Sequence, residues 1–480
     1  MTTDIEVGQK NYSAFASPKF DGIQDGETQP KESASVVRLM LIAMPRLAMQ
    51  MTWAAQWAAL GPYLGTMLPN YAVQLTQFIG PIVGITVAPI VGVLSDRSTS
   101  KWGRRRPILL VAAVLSVICW MLMGYTRQIG EALGDYGTGQ PNEETHRPWT
   151  TFLTVILYAW MDITVNIAQA PAFLMIADFS GDRQTLGSAI GQGWSLIGSL
   201  LVACYISAFG PAHKSLRWFL GMLSVVMLVT VGIACVAAKE TPLKKDENDK
   251  TTTWQQVKAV FVNIYRAVIT LPASLAVYSI IFFFIGYGYT AYNGNKGQFF
   301  GLVVYDGESS GADSCGSTCT EAQNDYNDGV SLAGGNTDIV YNIVGYLYSW
   351  ALPFMVRKFG AKSVLAVSLV PQCLLLVMAF TKVVAVDVII VVITSVSQTV
   401  MFALMVPVII HVMGPDIDIG AYFGVLNSAQ CFGQLLNFAI GSALVETSMG
   451  YKLPVLLGGI MTVIGVLITV VFLKLKMNAM

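Results

Sequence analysis

Residues 92–107 read GVLSDRSTSKWGRRRP, a short basic loop set between two long apolar stretches. From Tyr71 to Leu94 almost every residue is apolar or small, and the apolar run resumes at Pro107 and continues to about Tyr125. A loop this charged between segments this apolar is expected on the cytoplasmic face of a membrane, where Lys and Arg are retained. That placement orients every other segment by counting outward from it.

The composition agrees. Of 480 residues 54% are hydrophobic and 12% charged, with mean hydropathy +0.58, far from the roughly 25% charged residues of soluble domains. With 29 basic and 29 acidic residues, no net charge points to nucleic acid. A helix needs about 20 apolar residues to cross a bilayer. Such runs fall near 38–64, 71–95, 107–126, 150–176, 188–209, 216–238, 272–294, 337–357, 363–381, 386–411, 421–445 and 453–474. The expected fold is therefore all-α and integral to the membrane, with twelve helices and both termini inside. Segments 38–238 and 272–474 form two six-helix halves, flanked by a disordered cytoplasmic N-terminus (1–37), a cytoplasmic linker (239–271) and a short tail (475–480).

Charge tests this topology independently. Inner loops carry Arg97, Lys101, Arg104, Arg105 and Arg106, then Arg183, then six basic residues between Lys239 and Arg266, then Arg357, Lys358 and Lys362; outer loops carry few. In the linker, KKDENDK (244–250) is a solvated stretch, and Trp254, Val257, Phe261, Ile264 and Tyr265 recur at helical spacing, as an amphipathic helix lying on the inner surface or, alternatively, an extension of the seventh helix. The halves also resemble each other. KWG (101–103) and KFG (358–360) occupy equivalent loops, and GSAIGQGWS (187–195) parallels GAYFGVLNS (420–428). Parallel six-helix repeats are a transporter pattern, although small-xxx-small spacing also serves helix packing in any bundle.

Residues 295–336 are expected to form a long outer loop, in which Cys315 and Cys319 either form a disulfide or remain free thiols. Five other cysteines lie in apolar segments. Three histidines, none in that loop, argue against a metal site. No G-x-x-x-x-G-K-[ST] loop is present, so a built-in ATPase is not expected, nor any cofactor.

Candidate chemistry begins on the fourth helix, in YAWMDITVNIAQAP (158–171). Asp162 falls near mid-membrane, where an ionised carboxylate costs roughly 2.5–3.5 kcal/mol and normally faces a cavity or a partner. Taking a carboxylate out of water disfavours its charged form. Asp162 is thus a candidate proton carrier; the alternative is a permanently neutral group bonded between helices. Asn166 and Gln169 follow on the same face. On the first helix Gln50, Trp53 and Trp57 share a face, with Gln56 beside it. Amides and indoles together suit a sugar, whose hydroxyls need hydrogen bonds and whose C–H faces stack on aromatics, although these tryptophans could equally face lipid. Arg46 is either a cavity cation or a snorkelling side chain. On the seventh helix, FIGYGYTAYNGN (284–295) supplies Tyr287, Tyr289, Tyr292 and Asn293, and the eighth adds Tyr341 and Asn342, as an outer gate or an aromatic belt. In the basic loop Asp96, Arg97, Arg104, Arg105 and Arg106 are candidate gating residues whose pairings hold the halves together on the inside.

These residues resemble a known family. SDRSTSKWGRRRP is similar to the S-D-R-x-x-S-x-x-G-R-R-R-P signature of plant sucrose/proton symporters and the related glycoside–cation symporters of the major facilitator superfamily. WMDITVNIAQAP resembles their W-x-L-D-x-x-x-N-x-x-Q-G-P segment, MTWAAQWAALGPY their F-G-W-A-L-Q-x-x-x-L-T-P-Y, and GVLNSAQCFGQ their G-V-L-N-x-x-x-x-x-P-Q without the proline. The resemblance spans about residues 45–465. It implies a twelve-helix facilitator fold and places Asp162 at the family's proton-coupling position. Two departures bear on substrate: Phe173 stands where plant members carry a sugar-associated arginine, and Ser331 lies near where a second arginine is expected.

The function expected is proton-coupled symport of a sugar, sucrose or another disaccharide or glycoside, by alternating access, with the proton gradient as energy source. The partners are sugar, proton and lipid bilayer, the chain is expected to act as a monomer, and the plasma membrane is the expected location. Helix two lacks the acidic residues of melibiose-type sodium symporters. A uniporter of the same fold, or a non-transporting sugar receptor or scaffold, is the alternative.

Overall fold

A computed structural model describes residues 34–96, 98–137, 143–181, 183–240, 252–414 and 419–477. Helix one runs over 36–65, divided at Pro45 and by a π-helical turn at Gln56–Leu60. Helix two comprises Asn70–Gln77 and Ile79–Asp96; helices three to six are Arg106–Gly124, Pro148–Ser180, Gln184–Phe209 and Leu216–Ala237. After the linker, helix seven is Ala273–Asn293, helix eight Asp338–Phe359, helix nine Ala361–Cys373 with Leu375–Met378, and helices ten to twelve Val384–Met413, Ile419–Leu444 and Lys452–Phe472.

Among the described residues, ten helices are long and apolar enough to cross a membrane. Helix one, interrupted by its proline and π turn, and helix eleven complete the twelve. Large apolar side chains such as Trp218, Val236 and Phe354 stand exposed on the outside of the bundle, as a lipid-facing surface requires. Each half has its own apolar core, one built around Leu47, Trp120 and Phe219 and the other around Phe282, Leu365 and Leu404.

The pseudo-two-fold relation of the halves shows in backbone detail. A Cβ on Gly198 of helix five would lie 2.3 Å from the Leu47 carbonyl of helix one, and a Cβ on Gly433 of helix eleven 2.2 Å from the Phe283 carbonyl of helix seven. Both pairs of helices therefore touch through backbone, which only glycine permits. In KWG and KFG, Gly103 and Gly360 have φ of +104° and +78°, the left-handed region open to glycine at no steric cost. The two nonapeptides are less alike: Gly187 and Gly191 pack on Ser180, Ile176 and Arg46, whereas nothing lies within 4 Å of a Cβ on Gly424.

The outer segment departs from expectation. Residues 295–336 are mostly helical: a turn at Lys296–Gln298, a π-helical stretch at Phe299–Val304, then Glu321–Leu332 and a π turn at Ala333–Thr337 that lead without a break into helix eight. Thr320 and Gln323 start this extension with reciprocal cap hydrogen bonds of 3.2 and 3.0 Å. The polar residues that lower its hydropathy, Gln323 and Asn327, are buried with Tyr326 against neighbouring outer segments, so polarity there signals packing rather than solvent. Cys315 and Cys319 form a disulfide within this region.

The expected linker helix is present at Thr253–Ile269 and is capped by Thr252. Trp254, Phe261 and Tyr265 are exposed and Val257 is buried. KKDENDK, residues 1–33 of the N-terminal tail and residues 478–480 lie outside the described residues.

Candidate sugar and proton site

Helices one and four run antiparallel and face each other through two stripes. Residues 46, 50, 53 and 57 recur at helical spacing on helix one, and 162, 166, 169 and 173 do so on helix four. Four contacts join the two helices. Gln56 Nε2 donates to Asp162 Oδ1 at 2.9 Å and to the Tyr158 hydroxyl at 2.8 Å; Trp53 Nε1 donates to Gln169 Oε1 at 2.8 Å; the Arg46 guanidinium lies 3.8 Å from the centroid of the Phe173 ring.

Asp162 is 1% exposed. Fourteen residues separate it from the start of helix four, or about 21 Å at 1.5 Å per residue, which places it near the middle of that 33-residue helix. Its Oδ2, like Gln56 Oε1, has no hydrogen-bond partner among the described residues. Gly80 of helix two brings backbone against this carboxylate: a Cβ there would lie 3.4 Å from Asp162 Oδ2. Gln56 opens the π turn of helix one, and such turns are frequent at functional sites because they re-aim side chains.

The other sequence candidates are distributed as follows. Trp57 crosses to the second half, where its ring meets Tyr289 edge-on at 5.5 Å. Asn166, Asn293 and Asn342 turn their amide N–H groups back to the carbonyls of Asp162, Tyr289 and Asp338 on their own helices, so none of the three amides is brought onto the Asp162 carboxylate. Gln50 is half-buried. Tyr287 and Tyr292 are buried, inside the bundle and not in an interfacial belt.

The second half holds a neutral cluster that the sequence reading passed over. Gln398 Nε2 of helix ten donates to Gln372 Oε1 of helix nine at 2.8 Å, and Gln372 Nε2 donates to Thr462 Oγ1 of helix twelve and to the Ile285 carbonyl, both at 3.1 Å. Gln372, Gln398, Thr394, Tyr289 and Asn293 line a narrow crevice. The available signal was two glutamines inside apolar runs, in VPQC and SVSQTV.

Among the described residues, the basic loop pairs with the first half and with Glu240 at the start of the linker. Arg104 and Arg105 both reach Asp178 at 3.3 Å; Arg105 also donates to Ser95 Oγ at 2.5 Å. Glu240 accepts from the Arg105 backbone N–H at 3.0 Å, and Arg106 donates to the Cys235 carbonyl at 3.0 Å. The Asp96 side chain and Arg97 lie outside what is described. Contacts between the halves gather instead at the outer end. Arg127 Nη2 donates to Asp313 Oδ2 at 2.7 Å, the Tyr326 hydroxyl donates to the Pro62 carbonyl at 3.1 Å, and the Tyr71 backbone N–H donates to Glu446 at 3.0 Å. His213 bonds Asn327, and Gln74 bonds Asn295. The conformation is closed on the outer side.

Fold and site together define a multi-pass, all-α membrane protein with a buried polar site between its helices. Residues 41–299 match the family described as MFS/sugar transport protein, and the chain belongs to that family. It is 30% identical over 374 residues to "Sucrose transport protein SUT5" of Oryza sativa subsp. indica, a match covering 72% of this chain and 66% of that relative. It is 34% identical over 219 residues to "Sucrose transport protein SUC3" of Arabidopsis thaliana, covering 45% of this chain and 36% of that one. Among solved structures, the inward-open xylose transporter XylE from E. coli is similar with a TM-score of 0.59 at 14% identity, over 92% of this chain and 100% of that one. The nucleoside transporter NupG gives 0.58 at 13% identity, over 92% and 99%.

Proposed function

We propose that the chain carries a sugar, a disaccharide or glycoside with sucrose the first candidate, together with a proton, by alternating access between halves spanning about 38–238 and 272–474. The observation that carries this reading is Asp162: a buried carboxylate with one oxygen held by Gln56 and the other without a partner. A proton on that second oxygen removes the cost of a charge in the membrane interior. The sugar is held between the stripes of helices one and four and the second half, with Trp53, Gln56, Trp57, Gln169 and Tyr289 as its principal contacts and Gln50, Asn166, Asn293 and Asn342 around them. Similarity to proteins named sucrose transport proteins supports the substrate class.

In this mechanism the outer latches part, proton and sugar enter, and the outer end closes again. The inner end then opens as the contacts of Asp96, Arg97, Arg104, Arg105 and Arg106 rearrange. No cofactor is involved; a membrane potential adds about 2.3 kcal/mol per charge per 100 mV. We place the protein in the plasma membrane as a monomer. The test is a saccharide panel offered to cells expressing the protein, with external pH recorded. Sugar-dependent alkalinisation is expected for at least one disaccharide or glycoside. Sugar uptake with no proton movement would make the protein a uniporter, and binding without flux a receptor.

A further inference from the structure

Arg46 is the innermost rung of the antiparallel ladder. It is 9% exposed, lies in the same stripe as Gln50, Trp53 and Trp57, and rests on the face of Phe173. Helix five makes room for it: a Cβ on Gly191 would lie 3.6 Å from Arg46 Cγ. The described ion pairs engage other cations, including Arg104, Arg105 and Arg127, and among the described residues no carboxylate or carbonyl takes the N–H groups of Arg46. A ring face attracts a guanidinium through its quadrupole but accepts none of its five N–H groups, which are arranged as a planar fork. A buried cation in a membrane normally faces the interior and is paired. Here the N–H donors are left for something that enters.

We propose that Arg46 is a substrate-recognition residue that donates its fork to two adjacent hydroxyl oxygens of the sugar, with Phe173 holding the guanidinium in place. Hydroxyls fit better than an anion because Gln50, Trp53, Asn166 and Gln169, between Arg46 and Asp162 on the two stripes, are all uncharged polar groups.

The inference rests on the sugar-transport reading, and its test separates the two. Initial uptake rates are measured for the wild type, Arg46→Ala, Arg46→Lys and Phe173→Leu, using the best sugar of the panel and its monodeoxy derivatives. Arg46→Ala should raise KM about tenfold to a hundredfold, the range of a hydrogen bond to a charged group, with maximal rate within about twofold of wild type. Lysine keeps the charge but loses the fork and should restore only part of the affinity; Phe173→Leu should raise KM several-fold. One deoxy sugar should lose affinity in the wild type but lose none further in Arg46→Ala, a coupling that a purely structural arginine would not produce. Should Arg46→Ala fail to reach the membrane, the same coupling is read from Arg46→Lys. Unchanged KM, or deoxy penalties equal in both backgrounds, overturns the inference alone. Stronger competition by a uronic-acid derivative than by the parent sugar overturns the hydroxyl assignment. No uptake of any saccharide by the wild type overturns the transport reading and this inference with it.

Discussion

Replacing Asp313 by Asn should loosen the closed outer end. Asp313 lies in the outer segment of the second half, with a side chain only 5% exposed, and takes a 2.7 Å hydrogen bond from Arg127 of the first half. A hydrogen bond to a charged group contributes about 1.5–3 kcal/mol, and each 1.4 kcal/mol is about a factor of ten in an equilibrium constant. Losing this pair should therefore shift the population toward the outward-open state about tenfold to a hundredfold, less whatever the asparagine recovers with Arg127. The reporter is Ala58→Cys: Ala58 is buried on helix one, and its Cβ would meet a Cβ on Gly334 of the second half at 3.0 Å. A membrane-impermeant maleimide added outside should label this cysteine at least several-fold faster in Asp313→Asn than in wild type. The background from Cys204 and the other free cysteines is subtracted with a control lacking the substitution at residue 58. An unchanged labelling rate would refute the assignment of this pair as an outer latch.

Two further substitutions test the fold. Asp135 caps helix four, accepting from the backbone N–H of Thr150 at 2.7 Å and of Trp149 at 3.1 Å, so Asp135→Ala should cost about 0.5–2 kcal/mol, read as a lower unfolding temperature in detergent. Burial pushes the Asp135 carboxyl up, but the hydrogen bonds from Thr150 and Trp149 outweigh it and hold the group below the usual carboxylate range. The cap's contribution is thus complete at neutral pH and is lost as pH falls through that lowered value, and wild type and Asp135→Ala should converge in stability only in strong acid. Gly433→Leu should prevent helices seven and eleven from meeting, since even a Cβ there would lie 2.2 Å from the Phe283 carbonyl; yield of monodisperse protein should collapse, whereas Gly424→Leu, with open space around it, should be tolerated.

The twelve spans were legible because lipid-facing residues and buried core are both apolar, so hydropathy sees the whole helix. It failed where polar residues pack on one another, as in Glu321–Leu332, where Gln323, Tyr326 and Asn327 are buried beneath an outwardly hydrophilic sequence. Asp162 was legible because a carboxylate is conspicuous in an apolar run, and Trp53 and Gln56 because helical spacing put them near one face. Pairings were another matter: Trp53 with Gln169 and Arg46 with Phe173 depend on the register of two antiparallel helices, which neither sequence stripe contains. The Gln372–Gln398 cluster joins residues from separate helices through single amides, each unremarkable alone. Gly80 is one of many membrane glycines, and only packing distinguishes the one beside the carboxylate.

The most direct test of the central claim is Asp162→Asn in proteoliposomes with an imposed proton gradient. Asparagine keeps the shape and still meets Gln56 but cannot exchange a proton. Uphill accumulation of sugar should vanish while sugar–sugar exchange across the membrane continues. Undiminished proton-driven accumulation in Asp162→Asn would contradict the account.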